Sequence, residues 1–192
     1  MKYEIVNDGG FKKGIIFLSG RGKDLNNWNI TETGKYIGLE EFFRKRCATC
    51  RVSFDAADEV ICNKYNNNGC IIEQLIGDET LLPLLSILDR KIKWYIVAHS
   101  AGSYFTTLFP AEIVQGILLV DPSFFNMTAF INFKVPLVVH LNIHPNDTQR
   151  ITDWMPFTKH HNKSTIIVHT CGHMIHWEQP GKIQASIEQL LR

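Results

Sequence analysis

Six short apolar runs, residues 14–18, 50–54, 94–98, 116–120, 137–141 and 165–169, punctuate the chain and read as buried strands, and residues 3–6 add a candidate edge strand. The stretches between them carry helical spacing. Ile37, Leu39, Glu40, Phe42 and Phe43 outline a helix ending near Arg46, residues 71–88 hold a long apolar face, and Ile183, Ile187, Leu190 and Leu191 recur as one stripe of an amphipathic helix. Strands that are apolar on both faces and alternate with helices predict a mostly parallel sheet covered on both sides, which is an α/β fold of the three-layer sandwich type. No internal repeat or linker-like stretch divides the 192 residues, so residues 1–192 are read as a single domain. Ligands of such sheets bind outside the carboxyl ends of the strands. Chemistry is therefore expected in the segments just after the apolar runs.

The run at 94–98 leads into Ala98-His99-Ser100-Ala101-Gly102. A serine held on a tight strand-to-helix turn stands exposed above the sheet, and the turn brings together the backbones two positions either side of it. Ala98 and Gly102 leave room for that approach, so Ser100 is a candidate nucleophile; the plainer reading of Ser100 is a helix N-cap.

Twenty basic and nineteen acidic residues give a formal net charge of +1, which offers no global field for nucleic acid or a membrane surface. Arg44-Lys45-Arg46 reads as the solvated end of a helix. The N-terminal residues lack the apolar core of a signal peptide and no run has the length of a membrane span, which leads to the expectation of a soluble, cytoplasmic protein without stable membrane insertion. Five cysteines, an odd count, fit reduced thiols better than a disulfide framework. Cys47, Cys50, Cys62 and Cys70 raise the alternative of a zinc site, but Cys62 and Cys70 are too far apart to form the second close pair that a zinc ribbon needs. His140, His144, His160 and His161 have no carboxylate or cysteine at a recognisable ligand spacing. No metal is expected.

Four motifs make the chain resemble the α/β-hydrolase family from about residue 13 to the C-terminus. Leu18-Ser19-Gly20-Arg21 followed by Trp28 looks like the family's His-Gly-x segment, with Ser19 in place of the usual histidine. Val52-Ser53-Phe54-Asp55 is similar to the strand and aspartate after the family's first helix, without the glycine-rich continuation. The elbow at Ser100 is the third. Gly172-His173, with Glu178 and Pro180 behind it, matches the setting of the family's catalytic histidine. The order Ser, acid, His along the chain agrees with the family's.

The resemblance implies that Ser100 attacks a carbonyl while His173 takes its proton and later returns one to the leaving group. It implies an oxyanion hole from the backbone N–H groups of Arg21 and Ala101. Asp147, in the segment after the strand at 137–141, is the expected acid; Asp121 is the alternative and Asp153 a third choice. His176 is given a surface or packing role, and His99 is expected to pack under the elbow. Arg21 and Lys23 could hold an anionic substrate group, although such side chains are more often solvated. Residues 122–135 are too few for more than a vestigial lid, and Phe124, Phe125, Met127, Phe130 and Phe133 within them either line an apolar pocket or pack on the core. The expected activity is that of a cofactor-free serine hydrolase, a carboxylesterase acting on small or medium acyl esters or thioesters. The alternative is a hydrolase scaffold that binds a small molecule or a partner protein without turnover.

Overall fold

The structure, a computed structural model, describes residues 1–7, 10–20, 22–30, 37–54, 82–107, 109–122, 133–143, 149–160 and 163–192, with the side chains of Leu82, Tyr104 and residues 157–160 excepted. Among the described residues, seven strands form one sheet: β1 (Lys2–Val6), β2 (Lys13–Leu18), β3 (Ala48–Ser53), β4 (Lys93–His99), β5 (Val114–Val120), β6 (Leu137–Asn142) and β7 (Ser164–His169). Their order across the sheet is β1-β3-β2-β4-β5-β6-β7. β1 runs antiparallel to β3, and every other pairing is parallel. The mostly parallel three-layer sandwich read from the pattern is the fold observed.

Burial explains why these segments are strands. Ile15 and Phe17 of β2 belong to the core on one face of the sheet, while Ile16 and Leu18 belong to the core on the other. A period of two sends successive side chains to opposite faces, so a central strand must be apolar throughout. The edge strands differ: β1 (KYEIV) and β7 (STIIVH) each keep several residues partly exposed.

Helix α1 (Leu39–Arg44) covers one face through Leu39 and Phe43, together with Trp28 of the preceding 3-10 turn (Leu25–Asn29). The opposite face receives Leu84 from α2 (Leu82–Ile87), Phe105 from α3 (Gly102–Thr106) and Trp154 from α4 (Gln149–His160). After β7 come α5 (Ile175–Glu178) and α6 (Pro180–Leu190), whose Ile175, Ile183 and Ile187 join α1 on the first face.

Several boundaries differ from the sequence reading. β3 starts two residues earlier than expected and stops before Phe54, because Ala48 and Thr49 pair with Gly14 and Ile15 of β2. The sequence pattern does not predict α4, because Pro156 lies inside it and interrupts the helical spacing. Of residues 71–88, the described part forms only α2, and the remainder lies outside the described residues, as does most of the expected lid at 122–135. No helix among the described residues is long and apolar enough to cross a membrane.

The chain order of neighbouring strands reverses between β2 and β4. Loops leaving strands on either side of such a switch point diverge and leave a crevice at the carboxyl edge. Ser19, Ser100 and Asp121 follow β2, β4 and β5 at that edge.

Candidate active site

Among the described residues only two non-glycine positions have positive φ, Ser100 at 50° and Asp121 at 42°. The left-handed region costs an L-residue roughly 1–2 kcal/mol, and such strain persists only where surrounding contacts hold it. Here the contacts are visible. The Ser100 N–H donates to the Val120 carbonyl at 3.0 Å, Ser103 N–H donates to the Ser100 carbonyl at 3.1 Å, and Ser103 Oγ donates to the same oxygen. Because His99 pairs with Val120 in the β4–β5 register, the two strained residues leave adjacent strands side by side.

The glycines set the shape of the turn. A Cβ at Gly102 would lie 2.5 Å from the Ser19 carbonyl oxygen and 2.8 Å from that of Leu18, so the elbow packs directly on the backbone leaving β2. At Gly20 a Cβ would meet His99 Nδ1 at 2.6 Å and Ser100 Cβ at 3.2 Å. Gly20 therefore runs alongside Ser100, where the sequence reading placed the oxyanion loop. Ala101 directly precedes α3. Arg21 lies outside the described residues.

His173 sits in the loop between β7 and α5, with its side chain half exposed, and its Nδ1–H donates to Asp121 Oδ2. Asp121 is buried, and its Oδ1 accepts from the Asn142 N–H at 3.1 Å and from Arg150 at 2.7 Å. Burial alone would raise the proton affinity of this carboxyl. The His173 hydrogen bond, the Arg150 guanidinium and the Asn142 N–H outweigh it, and the pKa falls below the usual 3.8. Asp121 is thus held as a carboxylate. Asp147, the expected acid, lies outside the described residues, and the carboxylate bonded to His173 is that of the alternative, Asp121. Asp153 faces Gln149 on α4 instead, at 2.8 Å.

The loop carrying His173 is fastened at three points. Gly172 N–H donates to Glu178 Oε2 at 2.9 Å, and a Cβ at Gly172 would collide with that carboxylate, which accounts for the Gly-His and glutamate spacing seen in the sequence. His99 Nε2–H donates to the His173 carbonyl at 3.2 Å. Trp177 Nε1–H donates to the Asn27 carbonyl at 2.8 Å, and Lys23 lies 4.8 Å over the Trp177 ring, which joins the histidine loop to the segment after Gly20.

Beneath these loops is an aromatic floor. His176 is buried between Trp28 and His99, with centroid separations of 4.5 Å to each. Its role is packing, since the side chain does not reach the surface. Burial, then the neighbouring His173, pushes His99 down to about 3, so the ring beside the nucleophile is neutral and acts as a hydrogen-bond donor.

No family model and no curated protein matches the sequence. Solved structures do. A predicted CIB-like hydrolase from Thermoplasma acidophilum superposes over 99% of this chain and 97% of its own, with a TM-score of 0.63 and 12% identity. A thermophilic esterase from Thermogutta terrifontis matches over 100% of this chain and 92% of its own (TM-score 0.62, 11% identity), and the enol-lactonase from Burkholderia xenovorans over 99% and 95% (TM-score 0.62, 12% identity). The chain has the α/β-hydrolase fold. Within that α/β-hydrolase fold, the elbow follows β4, the carboxylate follows β5 and the histidine follows β7. Ser19, where the sequence resemblance implies a histidine, is fully buried, with its N–H on the Val52 carbonyl and its Oγ on the Asp24 carbonyl.

The sequence reading did not single out Arg150. Its contacts to Asp121, Asn142 and Pro122 join residues far apart in the chain, and no local pattern marks them. Cys47 and Cys50 are buried, and Cys47 is pushed up to about 12 by burial and by the Glu40 carboxylate, which disfavours the thiolate that a metal requires. His140 is engaged with His169 and Ser186; Cys62, Cys70, His144 and His161 lie outside the described residues.

Proposed function

We propose that the protein is a serine hydrolase that forms an acyl-enzyme on Ser100, with His173 as general base and acid and Asp121 as the carboxylate that orients it. The observation that carries this reading is the His173–Asp121 hydrogen bond, set at the sheet edge where Ser100 is held at positive φ. A carboxylate on Nδ1 fixes the imidazole tautomer with Nε2 bare, the form that accepts a proton from a serine hydroxyl, and it stabilises the imidazolium that results. Attack on an ester carbonyl forms the Ser100–acyl bond and expels the alcohol, protonated by His173. Water, deprotonated by His173, then cleaves the acyl-enzyme and restores Ser100. The Ala101 N–H, with the Arg21 N–H expected from the sequence, supplies the donors for the oxyanion.

The substrate class is small or medium acyl esters or thioesters. Solved relatives described as an esterase and an enol-lactonase support that chemistry as the first to assay. A panel of p-nitrophenyl esters from acetate to octanoate tests it with wild type, Ser100→Ala and Asp121→Asn. Turnover by wild type that both substitutions abolish is expected, and equal turnover by wild type and Ser100→Ala would overturn the mechanism.

A further inference from the structure

We infer that Arg150 is a positioning residue of this site: its guanidinium clamps the Asp121 carboxylate against the ends of β5 and β6 so that Oδ2 faces His173. The inference rests on the Ser100–His173–Asp121 reading and adds to it the group that keeps the acid in place.

Arg150 is the second residue of α4, where a cation opposes the helix macrodipole. A favourable interaction elsewhere must offset that placement, and three are present. Arg150 Nη1 lies 2.7 Å from Asp121 Oδ1 and 3.0 Å from the Asn142 carbonyl, and Nη2 donates to the Pro122 carbonyl at 3.1 Å. The two carbonyls belong to the last residue of β6 and to the residue after Asp121, so one planar group ties the acid's side chain, its own turn and the neighbouring strand together.

The geometry explains why an arginine suits the position. Asp121 occupies a strained backbone conformation, and a carboxylate there can rotate about χ1 and χ2 unless both oxygens are engaged. Asn142 N–H and Arg150 hold Oδ1, and His173 takes Oδ2. A lysine presents a point charge and reaches one or two of the three acceptors; the guanidinium fork reaches all of them in one plane. A surface pair between exposed side chains would contribute little. This one is different, because the Asp121 side chain is only 4% exposed and that of Arg150 22%.

The test measures the rate at which an alkyl fluorophosphonate labels Ser100, which needs no knowledge of the natural substrate. Arg150→Ala should label about ten- to a hundredfold more slowly than wild type, the loss expected when a reacting constellation is misplaced by about 1 Å. Millimolar guanidinium should restore the rate saturably where equal sodium chloride or urea does not, and Arg150→Lys should fall between the two. The low-field Nδ1 proton resonance of His173 should weaken or shift in Arg150→Ala and return with guanidinium. Labelling of both Arg150 variants at the wild-type rate would overturn the inference while leaving the serine mechanism standing. Failure of wild type to label would remove the mechanism and the inference with it. If Arg150→Ala does not fold, Arg150→Lys carries the test, and loss of fold in both makes Arg150 a structural residue and overturns the proposal.

Discussion

His99, the residue before the candidate nucleophile, donates from Nε2 to the backbone carbonyl of His173 at 3.2 Å. The strand that presents Ser100 therefore also anchors the loop that presents the base. His99→Phe keeps a ring packed against His176 but removes the donor. It should lower stability by about 1 kcal/mol, the net contribution of one hydrogen bond. Esterase kcat should fall with KM little changed, since His173 loses a fixed position. Thermal unfolding alongside steady-state kinetics checks both.

Asp121→Asn should reduce kcat by roughly three to four orders of magnitude, because an amide no longer enforces the required imidazole tautomer. Asp147→Asn should stay within a few-fold of wild type. If the Asp147 change abolishes activity and the Asp121 change does not, the assignment of the acid is wrong. The two variants assayed on one p-nitrophenyl ester suffice.

Much of this site can be read in the sequence because its parts are local. Ala98 to Gly102 carries the steric demand of the elbow within five residues, and the Gly172 backbone meets the Glu178 carboxylate within seven. The strands were legible for the same reason: a central parallel strand must be apolar along its whole length, as in Ile15 to Leu18. The acid was harder to place. Asp121 also reads as a strand-end aspartate capping the next segment, and what distinguishes it is contact with His173, Asn142 and Arg150, residues 21 to 52 positions away. α4 is not legible because Pro156 interrupts its pattern.

Below the site a buried chain links β6, β7 and α6. The His169 Nδ1–H donates to Gln179 Oε1 at 3.2 Å, His140 Nδ1–H donates to His169 Nε2 at 2.8 Å, and Ser186 Oγ–H donates to His140 Nε2 at 2.9 Å. With both rings neutral, every hydrogen bond of the chain is made. Burial, then His169, lowers His140 to about 3, and burial lowers His99 to about 3 as well. These folded-state values lie below the unfolded value of 6.5, so the unfolded chain takes up protons first. The stability these rings contribute is present above about pH 6.5 and is lost as pH falls from there toward about 3, at up to about 1.4 kcal/mol per pH unit for each ring. Urea midpoints at pH 7.5, 6, 5 and 4 should fall steadily, and His140→Gln should flatten the slope.

Gly102→Ala should be more damaging than a surface glycine substitution. Its Cβ would approach the Ser19 and Leu18 carbonyl oxygens, which are backbone atoms and cannot swing away. A destabilisation of roughly 1–3 kcal/mol is expected from the forced shift between β2 and the elbow. Gly181→Ala, where nothing lies within 4 Å of the added carbon, provides the control. Chemical denaturation of the two variants tests the difference.

The central claim, covalent catalysis by Ser100, is tested most directly by trapping the acyl-enzyme. Protein mixed with p-nitrophenyl butyrate, quenched in acid within the first turnover and mapped by peptide mass, should carry a butyryl group on the peptide containing Ser100, and Ser100→Ala should carry none. Hydrolysis of the ester with no adduct on that peptide, or the same adduct on the Ser100→Ala protein, would contradict the account.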